Sequence, residues 1–259
     1  MTARPAAVAG MFYPADRTTL GRTVKALLDG APPAGGAAKA IIAPHAGYQY
    51  SGPIAAHAYR LLESRRAEIE RVVLLGPAHR VWLEGMALPS VDAFRTPLGD
   101  VPIDRASVER ALGLPGTRVS DEAHAFEHSL EVHLPFLQTM LDDFMLVPIV
   151  VGRSPAREVD TVIEALWGGD ETVIVVSSDL SHYHAYADAQ KLDASTTSRI
   201  EARNTTLAGE DACGAHAING LLLAAKAKGL GVRTLDVRNS GDTAGDKSRV
   251  VGYGAYALS

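Results

Sequence analysis

Residues 39–52 read Lys39-Ala40-Ile41-Ile42-Ala43-Pro44-His45-Ala46-Gly47-Tyr48-Gln49-Tyr50-Ser51-Gly52. The run up to Ala43 is continuously apolar, without the alternation of a half-exposed strand, and so predicts a strand covered on both faces. Pro44 has no N–H to offer a sheet ladder and ends the strand. His45 is thereby left just past a strand's carboxyl end, the edge where open α/β sheets bind ligands. Gly47 loosens the backbone, and Ser51-Gly52-Pro53 predicts a helix start with proline in the first turn, running over about residues 53–66. The same design returns at Arg71-Val72-Val73-Leu74-Leu75-Gly76-Pro77-Ala78-His79. Two such strands joined by a helical crossover run parallel, with their carboxyl ends on one side. His45 and His79 can then converge as metal ligands do. A histidine at a strand end can also simply cap backbone groups; it is the repeated context that favours ligands.

Outward from this pair, residues 16–28 predict a helix capped by Asp16 or Thr18, with Leu20, Val24, Leu27 and Leu28 on one face. Residues 30–36 form a Pro/Gly-rich link between elements. Residues 86–103 alternate around Thr96-Pro97-Leu98-Gly99-Asp100 and predict a hairpin or irregular insert. A short helix at 107–112 follows, then a segment over 122–141 that begins polar and ends helical. Apolar strands are expected at 144–152 and 171–177, helices at 155–167, 188–207 and 214–229, and closing strands at 232–238 and 250–258. This alternation predicts an α/β protein: a single domain over residues 1–259 around a central mixed, mostly parallel β-sheet flanked by helices.

Composition narrows the function classes. The 259-residue chain is 47% hydrophobic and 21% charged, and its 30 acidic against 25 basic residues give a net charge of −5. With no basic run, nothing points to nucleic acid. No apolar run approaches the roughly 18 residues that span a bilayer, and the N-terminus lacks an apolar signal core. A single cysteine, Cys213, excludes an intramolecular disulfide and suits a reducing cytoplasm.

Three further stretches carry chemistry. In Glu127-His128-Ser129-Leu130-Glu131-Val132-His133-Leu134-Pro135, His128 and Glu131 would share a helix face, although Pro135 disfavours one unbroken helix and a solvated helix start reads equally well. Val176-Ser177-Ser178-Asp179-Leu180-Ser181-His182-Tyr183 carries a buried strand straight into Ser, Asp and His at the sheet edge of His45 and His79. Cys213 precedes an apolar helix, where the helix dipole would stabilise a thiolate as a soft ligand. His124 and His184 lack a partner in sequence and read as exposed loop residues. The Gly/Asp-rich loop over 239–249 reads equally as an ordinary solvated hairpin loop or as a mobile flap whose Lys247 and Arg249 reach a substrate carboxylate.

Ala43-Pro44-His45-Ala46-Gly47-Tyr48, Gly76-Pro77-Ala78-His79, Glu127-His128-Ser129, Ser177-Ser178-Asp179-Leu180-Ser181-His182 and Cys213-Gly214-Ala215-His216 occur in the order typical of the Memo-like proteins. Val8-Ala9-Gly10-Met11-Phe12-Tyr13-Pro14 extends the resemblance over nearly the whole chain. Prokaryotic members are called AmmeMemoRadiSam system protein B, which implies AMMECR1-like and radical SAM proteins of the same system as partners. That family in turn resembles the class III extradiol ring-cleaving dioxygenases, which hold Fe(II) with two histidines and a glutamate. The resemblance implies a class III extradiol dioxygenase-like fold and metal ligands His45, His79 and Cys213, with the cysteine where the dioxygenases have glutamate. It maps their acid/base histidines onto His128 and His182, and matches Phe12 and Tyr50 to aromatic positions lining the Memo pocket. Asp179 would orient a histidine from behind.

The function expected is a metal-dependent oxidoreductase acting on a small aromatic, catecholic substrate with O2. The cofactor expected is a divalent metal: Fe(II) first, with Cu or Zn also suited to a thiolate and two imidazoles. The alternatives are a non-catalytic binding module whose pocket holds a ligand or partner peptide, and a zinc hydrolase.

Overall fold

The computed structural model describes residues 2–32 and 35–259, so the expected link at 30–36 falls outside the described residues at Pro33 and Ala34. In chain order the strands among the described residues are β1 (Ala3–Arg4), β2 (Ala40–Ala43), β3 (Arg71–Pro77), β4 (Met86–Leu88), β5 (Ala93–Thr96), β6 (Gly99–Pro102), β7 (Thr117–Val119), β8 (Met145–Val151), β9 (Thr172–Ser177), β10 (Asp179–His184), β11 (Val232–Asn239) and β12 (Val250–Leu258). The helices are α1 (Arg17–Gly30), α2 (Tyr48–Arg60), α3 (Arg105–Leu112), α4 (Asp121–Ala125), α5 (Leu134–Met140), α6 (Ala156–Ala165), α7 (Tyr186–Glu201), α8 (Ala215–Ala227) and α9 (Ser240–Thr243).

One principal sheet runs β10-β12-β2-β9-β3-β8-β4-β7, with β11 also paired to β12. Its centre, β2-β9-β3-β8, is parallel throughout. These four strands are almost wholly buried, as their continuous apolar runs require. Antiparallel pairings flank them: β12 with β2, β10 and β11, and β4 with β8. The sheet is therefore mixed, its parallel character concentrated in the centre. The expected hairpin is β5–β6, which joins β1 in a separate three-stranded sheet. No helix among the described residues is long and apolar enough to cross a membrane.

The order β2-β9-β3 positions the site. The two strands that end in proline and histidine are not neighbours; β9 lies between them. Leaving β9, the chain passes Ser178, whose N–H donates to Ala43 O (3.0 Å), and continues as β10 along β12. The segment expected to be a loop beyond β9 is thus a strand, because β12 offers it an edge. Asp179 lands beside His45 in consequence.

Two local expectations are corrected. Helix α2 starts at Tyr48, with Gly47 as cap and Pro53 inside it. The first-turn N–H of Tyr48 is satisfied by Phe12 O at 2.8 Å, a partner outside the local sequence. Residues 127–130 are not helical, and a 3₁₀ turn at Glu131–His133 leads into α5 with Pro135 in its first turn. His128 and Glu131 do not share a helix face. The loop over 239–249 is partly the capped turn α9, with Lys247 Nζ lying 4.5 Å above the Tyr186 ring and Arg249 Cζ 5.1 Å above that of Tyr183.

Glu131 is fully buried and holds the N-terminal segment in place. Its carboxylate pairs with Arg4 and accepts from Ala7 N (2.7 Å), Val8 N (3.0 Å) and Tyr13 OH (2.5 Å). Arg4 also donates to His124 O and Glu127 O. Removing one member of a buried ion pair strands the other in low dielectric, which typically costs about 3–5 kcal/mol. Glu131→Ala is expected to lose about that much in urea unfolding. A loss no larger than that of an exposed glutamate would show that the segment is held by other contacts.

Candidate metal centre

His45 is fixed by both its backbone and its ring. Its N–H donates to Asp179 Oδ1 at 2.8 Å, and its Nδ1 lies 2.5 Å from Ser177 Oγ at the end of β9. Its other ring nitrogen, Nε2, lies 3.4 Å from Cys213 Sγ. His79, at the end of β3, is held by Glu127. The carboxylate takes the His79 N–H at 2.6 Å and the ring Nδ1 at 3.0 Å, which leaves Nε2 free. Glu127 Oε1 also accepts the N–H groups of His128 and Ser129, both at 2.8 Å. A carboxylate behind a ligating imidazole fixes its tautomer and raises its basicity.

His45, His79 and His128 converge, each offering one nitrogen, with the three nitrogens within 4.8 Å of one another. The rings of His79 and His128 are stacked at 4.7 Å between centroids. Cys213 is not within that group of three, although it touches His45. The contact is compatible with a shared ion, because an imidazole nitrogen and a thiolate on one tetrahedral metal sit roughly 3.5 Å apart. Imidazole and thiol donors fit Fe(II), Cu or Zn and do not fit Mg or Ca, which demand oxygen.

Burial governs the protonation of the site. It pushes His45 well below the ordinary histidine range, with the neighbouring histidines acting in the same direction. Burial likewise lowers His128 to about 4, against the pull of Glu127. These imidazoles are neutral at pH 7, as metal ligands must be. For Glu127 burial works upward, but the hydrogen bonds from His79 and Ser129 outweigh it and hold the carboxyl at about 2. Burial pushes the Cys213 thiol up to about 12, and the nearby Asp179 adds to this. The thiolate expected from a helix dipole is thus overturned for the metal-free protein: Cys213 lies before the N-cap of α8, Gly214, and desolvation of the anion dominates. Burial also raises Asp179 to about 7, opposed by the His45 N–H.

The remaining expected residues fall around this cluster. Phe12 packs on His128 at 4.7 Å between ring centroids; the cleft of about 560 Å³ that it lines with Tyr50 is walled by residues 10–14, Thr23, Leu27 and 47–50 and by none of the three histidines. His182 is half-buried on β10, its pKa lowered by burial against a hydrogen bond to the Leu180 backbone, and it lies outside the three-histidine group. Asp179 orients His45 through the backbone rather than the ring. His184 is exposed as expected, whereas His124 is buried with Nε2 3.1 Å from Ala87 O. Glu127, Ser177 and His133 carry the site from behind and were not singled out from sequence. The acid directly before His128 and the serine ending β9 were the available signals.

The family model for Memo-like protein matches residues 4–257. A MEMO1 family protein of Aquifex aeolicus is 38% identical, with 98% of each chain covered, and one of Aeropyrum pernix is 37% identical over the full length of both. The crystal structure of an uncharacterized Escherichia coli K12 protein superposes with a TM-score of 0.53 at 14% identity, covering 83% of this chain and 98% of that one, a likeness of fold alone. With the family model matched over residues 4–257 and relatives 37–38% identical along essentially the whole chain, the chain belongs to the Memo-like family.

Proposed function

We propose that this protein is a metal-dependent oxidoreductase acting on a small aromatic, catecholic compound with O2, with His45, His79 and Cys213 as metal ligands. The observation that carries the reading is the convergence of His45 and His79, together with His128, on one point, with Nδ1 of the first two already engaged by Ser177 and Glu127 so that Nε2 of each is left for a metal. A bound Fe(II) would supply a Lewis acid and redox partner for a dihydroxy aromatic and O2. Around it, Phe12 and Tyr50 would hold the aromatic ring. His182, neutral at pH 7 and outside the ligand group, would take a hydroxyl proton. His128 would hold or return a proton over the bound ring.

A binding-module reading draws support from one further feature. Met11, Trp82, Phe126 and Tyr183 are exposed (73%, 81%, 72% and 64%), and each lies close in sequence to a site residue. Stoichiometric metal with O2 uptake favours the oxidoreductase; zinc without O2 uptake favours hydrolysis; neither leaves the binding module.

Metal binding should release protons in a countable way. Above the range where Asp179 titrates, about 7, the buried histidines are already neutral and the Cys213 thiol is still protonated. Zn(II) binding there is expected to release one more proton per metal in wild type than in Cys213→Ala, protons from zinc-bound water being common to both, read by calorimetry in buffers of different ionisation enthalpy. Equal release from both proteins would remove Cys213 from the ligand set.

His182→Ala and His128→Ala are expected to keep iron at full occupancy and lose most O2 uptake on catecholic acids, since positioned proton transfer contributes roughly 10²–10⁴-fold. Iron lost from His128→Ala, with the fold intact, would make His128 a third imidazole ligand.

A further inference from the structure

Behind His45 runs a chain of buried polar groups of which the proposed function uses only the contact between Ser177 and the ring. Ser177 Oγ lies 2.5 Å from His45 Nδ1, 2.7 Å from His133 Nε2 and 2.6 Å from Ser129 O. The second nitrogen of His133, Nδ1, lies 2.6 Å from Tyr59 OH. Tyr59, Ser129 and Ser177 are fully buried, and His45 and His133 nearly so. They come from α2, the turn after His128, the end of β9, the end of β2 and the 3₁₀ turn before α5. The approach is tight: a side-chain carbon at Gly76 of β3 would meet Ser129 Oγ at 2.8 Å.

The donors and acceptors allow one arrangement. Ser129 O can only accept, so the single Ser177 hydroxyl proton goes to it. Both lone pairs of Ser177 Oγ then face imidazole nitrogens, and each imidazole must donate. His45 therefore carries its proton on Nδ1 and leaves Nε2 bare. His133 carries its proton on Nε2, and its bare Nδ1 takes the Tyr59 hydroxyl proton. Two donors pointing into one oxygen cannot pass a proton from one ring to the other. The chain is a lock on tautomers and not a conduit.

We propose that Ser177, backed by His133 and Tyr59, is a positioning device that fixes His45 as the Nδ1–H tautomer and presents bare Nε2 to the metal. This rests on the metal reading of His45, but the tautomer can be read without metal. It places on a serine hydroxyl the task that Glu127 performs for His79, so the two ligands are set by unlike groups: a neutral oxygen behind His45 and a carboxylate behind His79. The neutral partner suits a ring without solvent access, since a second carboxylate there would be a further desolvated charge.

The test is ¹⁵N NMR of metal-free, ¹⁵N-histidine-labelled protein, in which protonated and bare ring nitrogens are separated by chemical shift, with His45→Gln and His133→Gln used for assignment. Wild type is expected to show His45 protonated at Nδ1 only and His133 at Nε2 only. In Ser177→Ala, His45 should become a mixture of tautomers and Zn(II) affinity should fall roughly 10–100-fold. Ser177→Thr, which keeps the hydroxyl, should restore both. His45 protonated at Nε2 in wild type overturns the proposal, as does Ser177→Ala with tautomer and Zn(II) affinity unchanged. Should Ser177→Ala not fold, the wild-type tautomers decide alone. Locked tautomers in a wild-type protein that fails to bind Zn(II) would support the lock and sink the metal reading.

Discussion

The carboxylate of Glu127 is the constraint on which the site depends. It is buried, ionised, and surrounded by donors from two separate stretches of chain: the backbone and ring of His79, and the N–H groups of His128 and Ser129. A buried anion is tolerable only when its lone pairs are fully met. Meeting them forces the end of β3 against the turn at 127–129. That contact stacks the rings of His79 and His128 and brings Ser129 O within reach of Ser177. One charge thereby fixes two histidines and the acceptor that orders the third.

Glu131, four residues on, performs a similar task for a different segment. Its four partners on residues 4–13 tie the N-terminus to the turn that carries the site, and the tied segment delivers Phe12 onto His128. Glu127 and Glu131 are both buried away from solvent. The aromatic wall of the site and its histidines are thus held by neighbouring anions in one short stretch. Flexibility in either attachment would be felt at the same point in space.

The sheet supplies the rigid frame for these contacts. Its four parallel central strands are dry on both faces, so their carboxyl ends are fixed relative to one another by packing as well as by hydrogen bonds. Burial then sets the protonation of the site: it keeps the imidazoles neutral and holds Cys213 as a thiol. A protonated thiol resists adventitious oxidation, since the thiolate is the reactive form.

The sequence by itself determined the α/β class, the strands ending at His45 and His79, a hairpin or irregular insert within 86–103 and the two closing strands. Each rests on a local signal: a continuous apolar run, a proline that cannot join a ladder, a turn with proline and glycine. It also marked His45 and His79 through their repeated strand-Pro-His context and Cys213 through its place before a helix, with motif order adding the roles of His128 and His182. Only the tertiary structure decided what stands between them. Strand β9 enters the sheet between β2 and β3, which sets Ser177 behind His45; no local pattern encodes the order of strands in a sheet. The helix face imagined for His128 and Glu131 dissolved because each acid found partners more than forty residues away, His79 for one and Arg4 for the other. The thiolate imagined at Cys213 failed for the same reason: its protonation answers to burial, a property of the whole packed chain and not of the residues beside it.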